Sequence, residues 1–143
     1  MPFISVTRLR VRSWRFLPTF FLYASRATRQ ASAAPGFLGG ALLPDRRGTF
    51  WTLTVWNRQE DMRAYVVSGA HKTVMPKLMH WCDEASIANW EQAEAIVPSW
   101  PEAETRMRQL GRPSKVSHPT TGHSTMAFAS LRPGIGAPIN PRR

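Results

Sequence analysis

One segment constrains this chain more than any other, the run TFWTLTVW at Thr49–Trp56. Its strict alternation is strand periodicity and sets Trp51, Leu53 and Val55 on one face and Phe50, Thr52, Thr54 and Trp56 on the other. A sheet that left Trp51, Leu53 and Val55 bare would be an aggregation hazard, so this face needs a cover as much as the other does. The neighbouring segments supply the rest of the sheet and its helices. Phe3–Val11 alternates around β-branched and apolar residues and predicts a first strand. Ser13 then precedes a helical pattern, which runs over about Leu17–Ala33 if Pro18 stands in the first turn, and Pro35 and Gly36 end it. Residues 37–43 predict a short strand in which Gly39 and Gly40 mark a bulge or a close backbone approach.

Beyond the Thr49–Trp56 strand, Asn57 serves as a cap for a helix over 58–67 with Met62, Tyr65 and Val66 on one face. Ser68 and Gly69 break the pattern, and 71–81 resumes it with Val74, Met75, Leu78 and Trp81, Pro76 kinking the helix or opening a new turn. A fourth strand is expected over 86–91. Ser99 with Glu102 three residues later is a capping-box signature, and Gly111 is the stop for a helix over Trp100–Leu110.

A length of 143 residues fits one domain, and 43% hydrophobic residues suffice for a compact core. The net charge of +10 is unevenly placed: six arginines and no acid in 1–44, six bases against nine acids in 45–104, and seven bases with no acid in 105–143. Terminal arginines can contact phosphates, but no zinc-finger spacing, RNP-like aromatic motif or helix-turn-helix pattern accompanies them, so nucleic-acid binding is not expected. The single cysteine, Cys82, excludes an internal disulfide and any multi-cysteine metal site and fits a reducing, cytoplasmic setting. The apolar stretch at 16–23 falls far short of the roughly 20 residues of a membrane span. Past Gly111 the composition turns to Pro, Gly, Ser, Thr and Arg. The reading is therefore a domain over 1–120 and a flexible basic C-terminal arm over 121–143. Met126, Phe128 and Leu131 are the anchors should that arm pack.

The order strand, helix, strand, strand, helix, strand is the ferredoxin-like α+β plan, an antiparallel sheet with its helices on one face. The other face is then open, and a second copy is expected to close over it, giving a homodimer. Thr7-Arg8-Leu9-Arg10, Phe50-Trp51-Thr52-Leu53-Thr54-Val55-Trp56, Ser68-Gly69-Ala70-His71 and Met75-Pro76-Lys77-Leu78 with Trp81 beyond resemble the dimeric α+β barrel superfamily of antibiotic biosynthesis monooxygenase-like proteins. Within it, the sequence is most similar to spheroidene-monooxygenase-like and related uncharacterised proteins. The resemblance covers residues 3–90, extending toward 118, and implies a small homodimeric oxygenase acting on an apolar organic substrate, without a cofactor or with haem. One fold hosts many chemistries, so the alternative is a non-catalytic homodimer holding a small ligand in the same cavity.

His71 is the first candidate for chemistry. It follows the helix break, where a side chain can reach a cavity between helix and sheet, and imidazole can act as base, donor or haem ligand. A structural role at the N-terminus of a helix capped by Ser68 is the competing reading. By spacing, the ligand His of haem-degrading relatives falls near Met75 and their characteristic Trp near Tyr65. That spacing speaks against haem degradation of their kind. Trp56, at a strand end beside the second helical region, is expected to wall the substrate site with Tyr65 and Met75, while Trp51, Trp81 and Trp90 divide between wall and core. Arg8 and Arg10 share a face with Ile4 and Val6. An arginine there is costly to bury unpaired, so Arg8 is expected to meet an acidic ligand group or a partner-chain carboxylate such as Asp83 or Glu84. His118 and His123 lack the support of a metal site, Cys82 reads as an inert buried thiol, and Gly39-Gly40 and Gly134-x-Gly136 lack the following helix of a phosphate loop. No flavin or nicotinamide motif is present.

Overall fold

The structure, a computed structural model, describes residues 1–131 and 136–142; Gly134 and the parts of the 121–143 arm at 132–135 and 143 lie outside them. In chain order the elements are β1 (Phe3–Val11), α1 (Leu17–Ala33), β2 (Phe37–Pro44), β3 (Thr49–Trp56), α2 (Gln59–Val66), α3 (Gly69–Trp81), β4 (Cys82–Glu91), α4 (Trp100–Leu110), β5 (Arg112–Pro113) and β6 (Ala137–Ile139). All strands join one antiparallel sheet in the order β5-β4-β1-β3-β2-β6. The ferredoxin-like α+β plan is therefore present, with β5 and β6 added at the edges. Strands of two and three residues are too short to show a period, which is why the sequence reading lacks them.

The register explains both faces. Val6 stands opposite Leu53 and Ala88, and Ile4 opposite Val55 and Trp90, so these residues share one face with Trp51 and Arg8. Ser5 stands opposite Thr54 and Asn89, and Thr7 opposite Thr52 and Ile87, on the other face. α1 and α3 cover this second face. Pro18 sits in the first turn of α1, where its missing N–H costs nothing, and α3 runs through Pro76. The bulge expected in β2 is present between Phe37 and Gly39, where Gly39 has φ +155°, and Gly40 lies so close to β3 that a side chain would strike the Leu53 carbonyl. β4 begins four residues before the expected 86: Glu84, a poor strand former by type, stands opposite Arg10 in the ladder and ion-pairs with Arg8, and the register shifts at Asp83, which ion-pairs with Arg10.

Two expectations are corrected on the first face. Trp51, Leu53 and Val55 are fully buried within one chain, beneath Ala103 and Met107 of α4 and against Met126, Phe128 and Leu131. Within the chain, α4 and the C-terminal segment occupy the place where a second copy was expected to meet them. Nor are residues 121–143 a free arm over their described part. Phe128 makes an edge contact with Trp51, Glu104 accepts a hydrogen bond from the Leu131 N–H at 2.8 Å, and Ala137–Ile139 adds a strand to β2. A composition poor in apolar residues on average still holds a few well-spaced anchors, and burying each is worth up to roughly 1.5–3 kcal/mol. No helix among the described residues is long and apolar enough to cross a membrane.

Candidate functional site

On the helix-covered face the apolar residues fall into two separate clusters. Phe3, Ala31, Phe37, Trp56 and Ile139 pack at one end, and Val11, Phe20, Val74, Trp81 and Cys82 at the other. Between them the sheet presents Ser5, Thr7, Thr52, Thr54 and Asn89, and above them α1 presents mostly small residues, Ala24, Ala27, Thr28 and Ala31, with Phe20 toward its start. Helix and sheet consequently stand apart, and the gap is a cavity of about 330 Å³, within the roughly 300–1,000 Å³ range of small-molecule sites. α3 closes it with His71, Val74, Met75, Leu78 and Met79, the face expected of a 3.6-residue period. The Asn89 Oδ1 is buried without a hydrogen-bond partner, so the floor has an acceptor to offer a ligand.

The break between α2 and α3 is built to hold His71. Gly69 takes φ +56°, a conformation glycine adopts without strain. The Gln30 amide of α1 spans the break: its Nε2 donates to the carbonyls of Tyr65 and Ser68 at 3.1 and 2.7 Å, and its Oε1 accepts from the His71 N–H at 2.9 Å. Ser68 does not cap α3 with its side chain. Its hydroxyl donates back to the Ala64 carbonyl at 2.9 Å, and Gln30 does the capping. The His71 Nδ1 lies 3.1 Å from the Val66 carbonyl and must donate to it. That bond selects the tautomer with the lone pair on Nε2. Burial holds the imidazole below its usual 6.5, partly offset by the bond to Val66, so the ring is neutral near pH 7.

The shifted His71 has a consequence for stability. The unfolded chain takes up the proton more readily than the folded one, so the folded state is favoured in full above about pH 6.5 and loses that increment as the pH falls below it. In His71→Gln the loss of melting temperature between about pH 7.5 and about pH 5 should be smaller than in the wild type.

Three of the expected site residues meet here. His71, Tyr65 and Met75 all line the cavity, with Met75 at its rim, 44% exposed. The Tyr65 hydroxyl donates to the Ala27 carbonyl at 3.1 Å and burial raises its pKa, so it is a wall and not an acid. Trp56 is fully buried one layer behind, its ring 5.1 Å from that of Tyr65, which in turn lies 4.8 Å from His71. Trp56 supports the wall and does not line the cavity, and Trp51, Trp81 and Trp90 do not line it either. Arg8 is on the opposite face. It donates to Glu84 of its own chain at 2.6 Å and stacks on Phe128, so the expected ligand or partner-chain carboxylate is replaced by an internal one. Cys82 is buried with its thiol pushed up to about 12, as an inert thiol should be. His123 is held at Ser114 and His118 against His80, and no cluster of metal-binding type occurs among the described residues. The sequence reading missed the polar floor and Gln30. Ser5, Thr7, Thr52 and Thr54 carried a signal, hydroxyls alternating on a face that ought to be core.

A haem was the cofactor the resemblance raised. Nε2 of His71 has the chemistry of an axial ligand, and a carbonyl on Nδ1 is the usual support for one. The cavity's volume, at the small end of the range for drug-sized ligands, does not accommodate a four-pyrrole macrocycle as the helices stand.

Comparison with solved structures bears on the fold. A variant of SnoaB, a cofactor-independent oxygenase from Streptomyces nogalater, superposes with a TM-score of 0.55 at 15% identity, over 66% of this chain and 96% of that one. Rv0793 from Mycobacterium tuberculosis gives 0.58 at 9% identity, over 66% and 97%. A structure described as antibiotic biosynthesis monooxygenase gives 0.57 at 8% identity, over 64% and 99%. At such identities the likeness concerns the fold, which is the α+β barrel fold of the antibiotic biosynthesis monooxygenase-like proteins. No curated protein matched the sequence. The family model described as "Domain of unknown function (DUF3291)" matches residues 17–130, four-fifths of the chain, and the chain belongs to that family.

Proposed function

We propose that this chain is a monooxygenase-like enzyme that acts on an apolar organic small molecule held in the cavity, with Nε2 of His71 as its general base and no resident cofactor. The observation that carries the proposal is the pinned, neutral imidazole. Val66 fixes the tautomer, burial keeps the ring uncharged, and the nitrogen left basic belongs to a residue lining an apolar-roofed cavity. A substrate methylene acidified by its neighbours gives its proton to Nε2. Dioxygen then oxidises the carbanion, one oxygen atom ending in the new carbonyl and the other in water, so no external reductant is required. The polar floor orients the substrate's oxygens and the helix roof excludes water. The name of SnoaB, a cofactor-independent oxygenase of the same fold, supports this reading.

Oxygen uptake, measured with apolar substrates bearing an acidic methylene and without added metal or haem, tests it. Wild type should consume oxygen, and His71→Ala should lower kcat by about 10²–10⁴-fold with little change in melting temperature. Tight binding without turnover would favour the non-catalytic ligand-binding alternative. A Soret band on adding haem, abolished in His71→Ala, would replace the cofactor-free reading with a haem-dependent one.

A further inference from the structure

We propose that the molecule this cavity takes is an amphipathic organic acid, its apolar body between α1, α3 and the sheet and its carboxylate on Arg112 and Lys115 at the β5 edge. The inference rests on reading the cavity as the substrate site and names the class of substrate. Charge is the first argument. Arg112 and Lys115 both line the cavity, and among the described lining residues there is no Asp or Glu. Arg112 and Lys115 have neither an ion pair nor a side-chain hydrogen bond among the described residues, and of the described arginines and lysines they are the two that line the cavity. With His71 neutral, the cavity carries two positive charges and no counter-charge of its own.

Position is the second argument. β5 is two residues long, yet its pairing is specific. Arg112 stands opposite Ile87, which shares the cavity face with Thr7 and Thr52. Backbone bonds from Ser114 to the Ala85 carbonyl and from Ser117 to the Met79 carbonyl, both 2.8 Å, fasten the segment carrying Lys115 between the sheet edge and α3. The backbone that carries the two cations is thus fixed at the cavity edge, and both side chains, exposed to solvent, stand at its mouth. A guanidinium fork matches a carboxylate in two parallel hydrogen bonds, and a neighbouring ammonium adds a point charge.

The two ends of the cavity also differ. Tyr65 packs on Trp56 of β3, with His71 against it, while Arg112 belongs to β5. Three interstrand steps separate β5 from β3, roughly 14 Å at the usual spacing. An elongated ligand with its charge on Arg112 and Lys115 places its far, uncharged end beside His71. The acid group then anchors and orients the substrate while the base works at the other end.

Calorimetric titration of the full chain with decanoate and with decan-1-ol, each below its self-association limit, tests the inference. The two share an apolar tail and differ in the head. Wild type should bind decanoate about tenfold more tightly than the alcohol at low salt, with the advantage shrinking as salt screens it. The double variant Arg112→Gln/Lys115→Gln should lose that advantage, keep the affinity for decan-1-ol and melt at the wild-type temperature. Equal affinity for acid and alcohol, or a preference that survives in the double variant, would overturn the acid head and leave the cavity as a site for neutral ligands. Failure of both ligands to bind would overturn this inference and the reading of the cavity on which it rests.

Discussion

Ending the chain after Gly122 is expected to lower the melting temperature by about 10–30 °C and to make the protein self-associate. The segment removed holds Met126, Phe128 and Leu131, which cover the sheet face of Trp51, Leu53 and Val55. It also holds Ile139, buried at 4% exposure against Phe37 and Trp56. Polar ties go with it as well, among them those from the Leu131 N–H to Glu104, from Arg108 to the Phe128 carbonyl and between the His123 ring and the Ser114 carbonyl. Partial burial of four such side chains is worth about 3–6 kcal/mol in all, and in a domain of this size each kcal/mol moves the midpoint by roughly 3–5 °C. The newly bare patch, centred on Trp51, is the kind of contiguous apolar surface that associates with another copy. Thermal melting and light scattering of the truncated chain check both parts. A melting temperature within a degree or two of wild type would mean that α4 alone covers this face.

Glu84→Ala should be among the most destabilising single substitutions, by about 3–5 kcal/mol, because it strands a buried cation. Arg8 is 8% exposed in the middle of the sheet, its Nη1 bonded to Glu84 and its Nε without a partner. Burial alone would raise the Glu84 carboxyl, but hydrogen bonds from Arg8 and Thr120 bring it below its usual 4.5. The folded state binds that proton less readily than the unfolded one, so the stability it brings is present above about pH 4.5 and is lost as the pH falls through the folded-state value. The double variant Arg8→Leu/Glu84→Leu removes both charges and should recover much of the loss, which separates the cost of an orphaned charge from the worth of the pair. Urea denaturation of the three proteins gives the comparison directly.

Much of this architecture was legible in the amino-acid order, and particular residues show where legibility stopped. Alternation and caps bounded β1, α1, β3 and α4 as the structure has them, because each carries its own period and its own stop signal. The need to cover Trp51, Leu53 and Val55 was equally plain, but not the identity of the cover. Periodicity reports a buried face and is silent on which segment or copy buries it, and the three anchors of the tail lie diluted in Pro, Gly and Ser. At the site, His71, Tyr65 and Met75 came together because a helical stripe and a helix break are local signals. Arg8 did not, although parity along β1 already separates it from Ser5 and Thr7, the residues that face the cavity. Gln30 and Arg112 depend on contacts across long stretches of chain, Gln30 to the α2–α3 break and Arg112 to β4, and nothing local marks them.

Nitrogen NMR of the histidine rings in the full chain decides whether His71 is a neutral base facing a ligand cavity. The account predicts that the His71 ring carries its proton on Nδ1 and titrates below 6.5, and that its Nε2 resonance shifts when an apolar acid such as decanoate is added. A ring protonated on Nε2, a titration at or above 6.5, or a resonance indifferent to a ligand that binds elsewhere by calorimetry would contradict it.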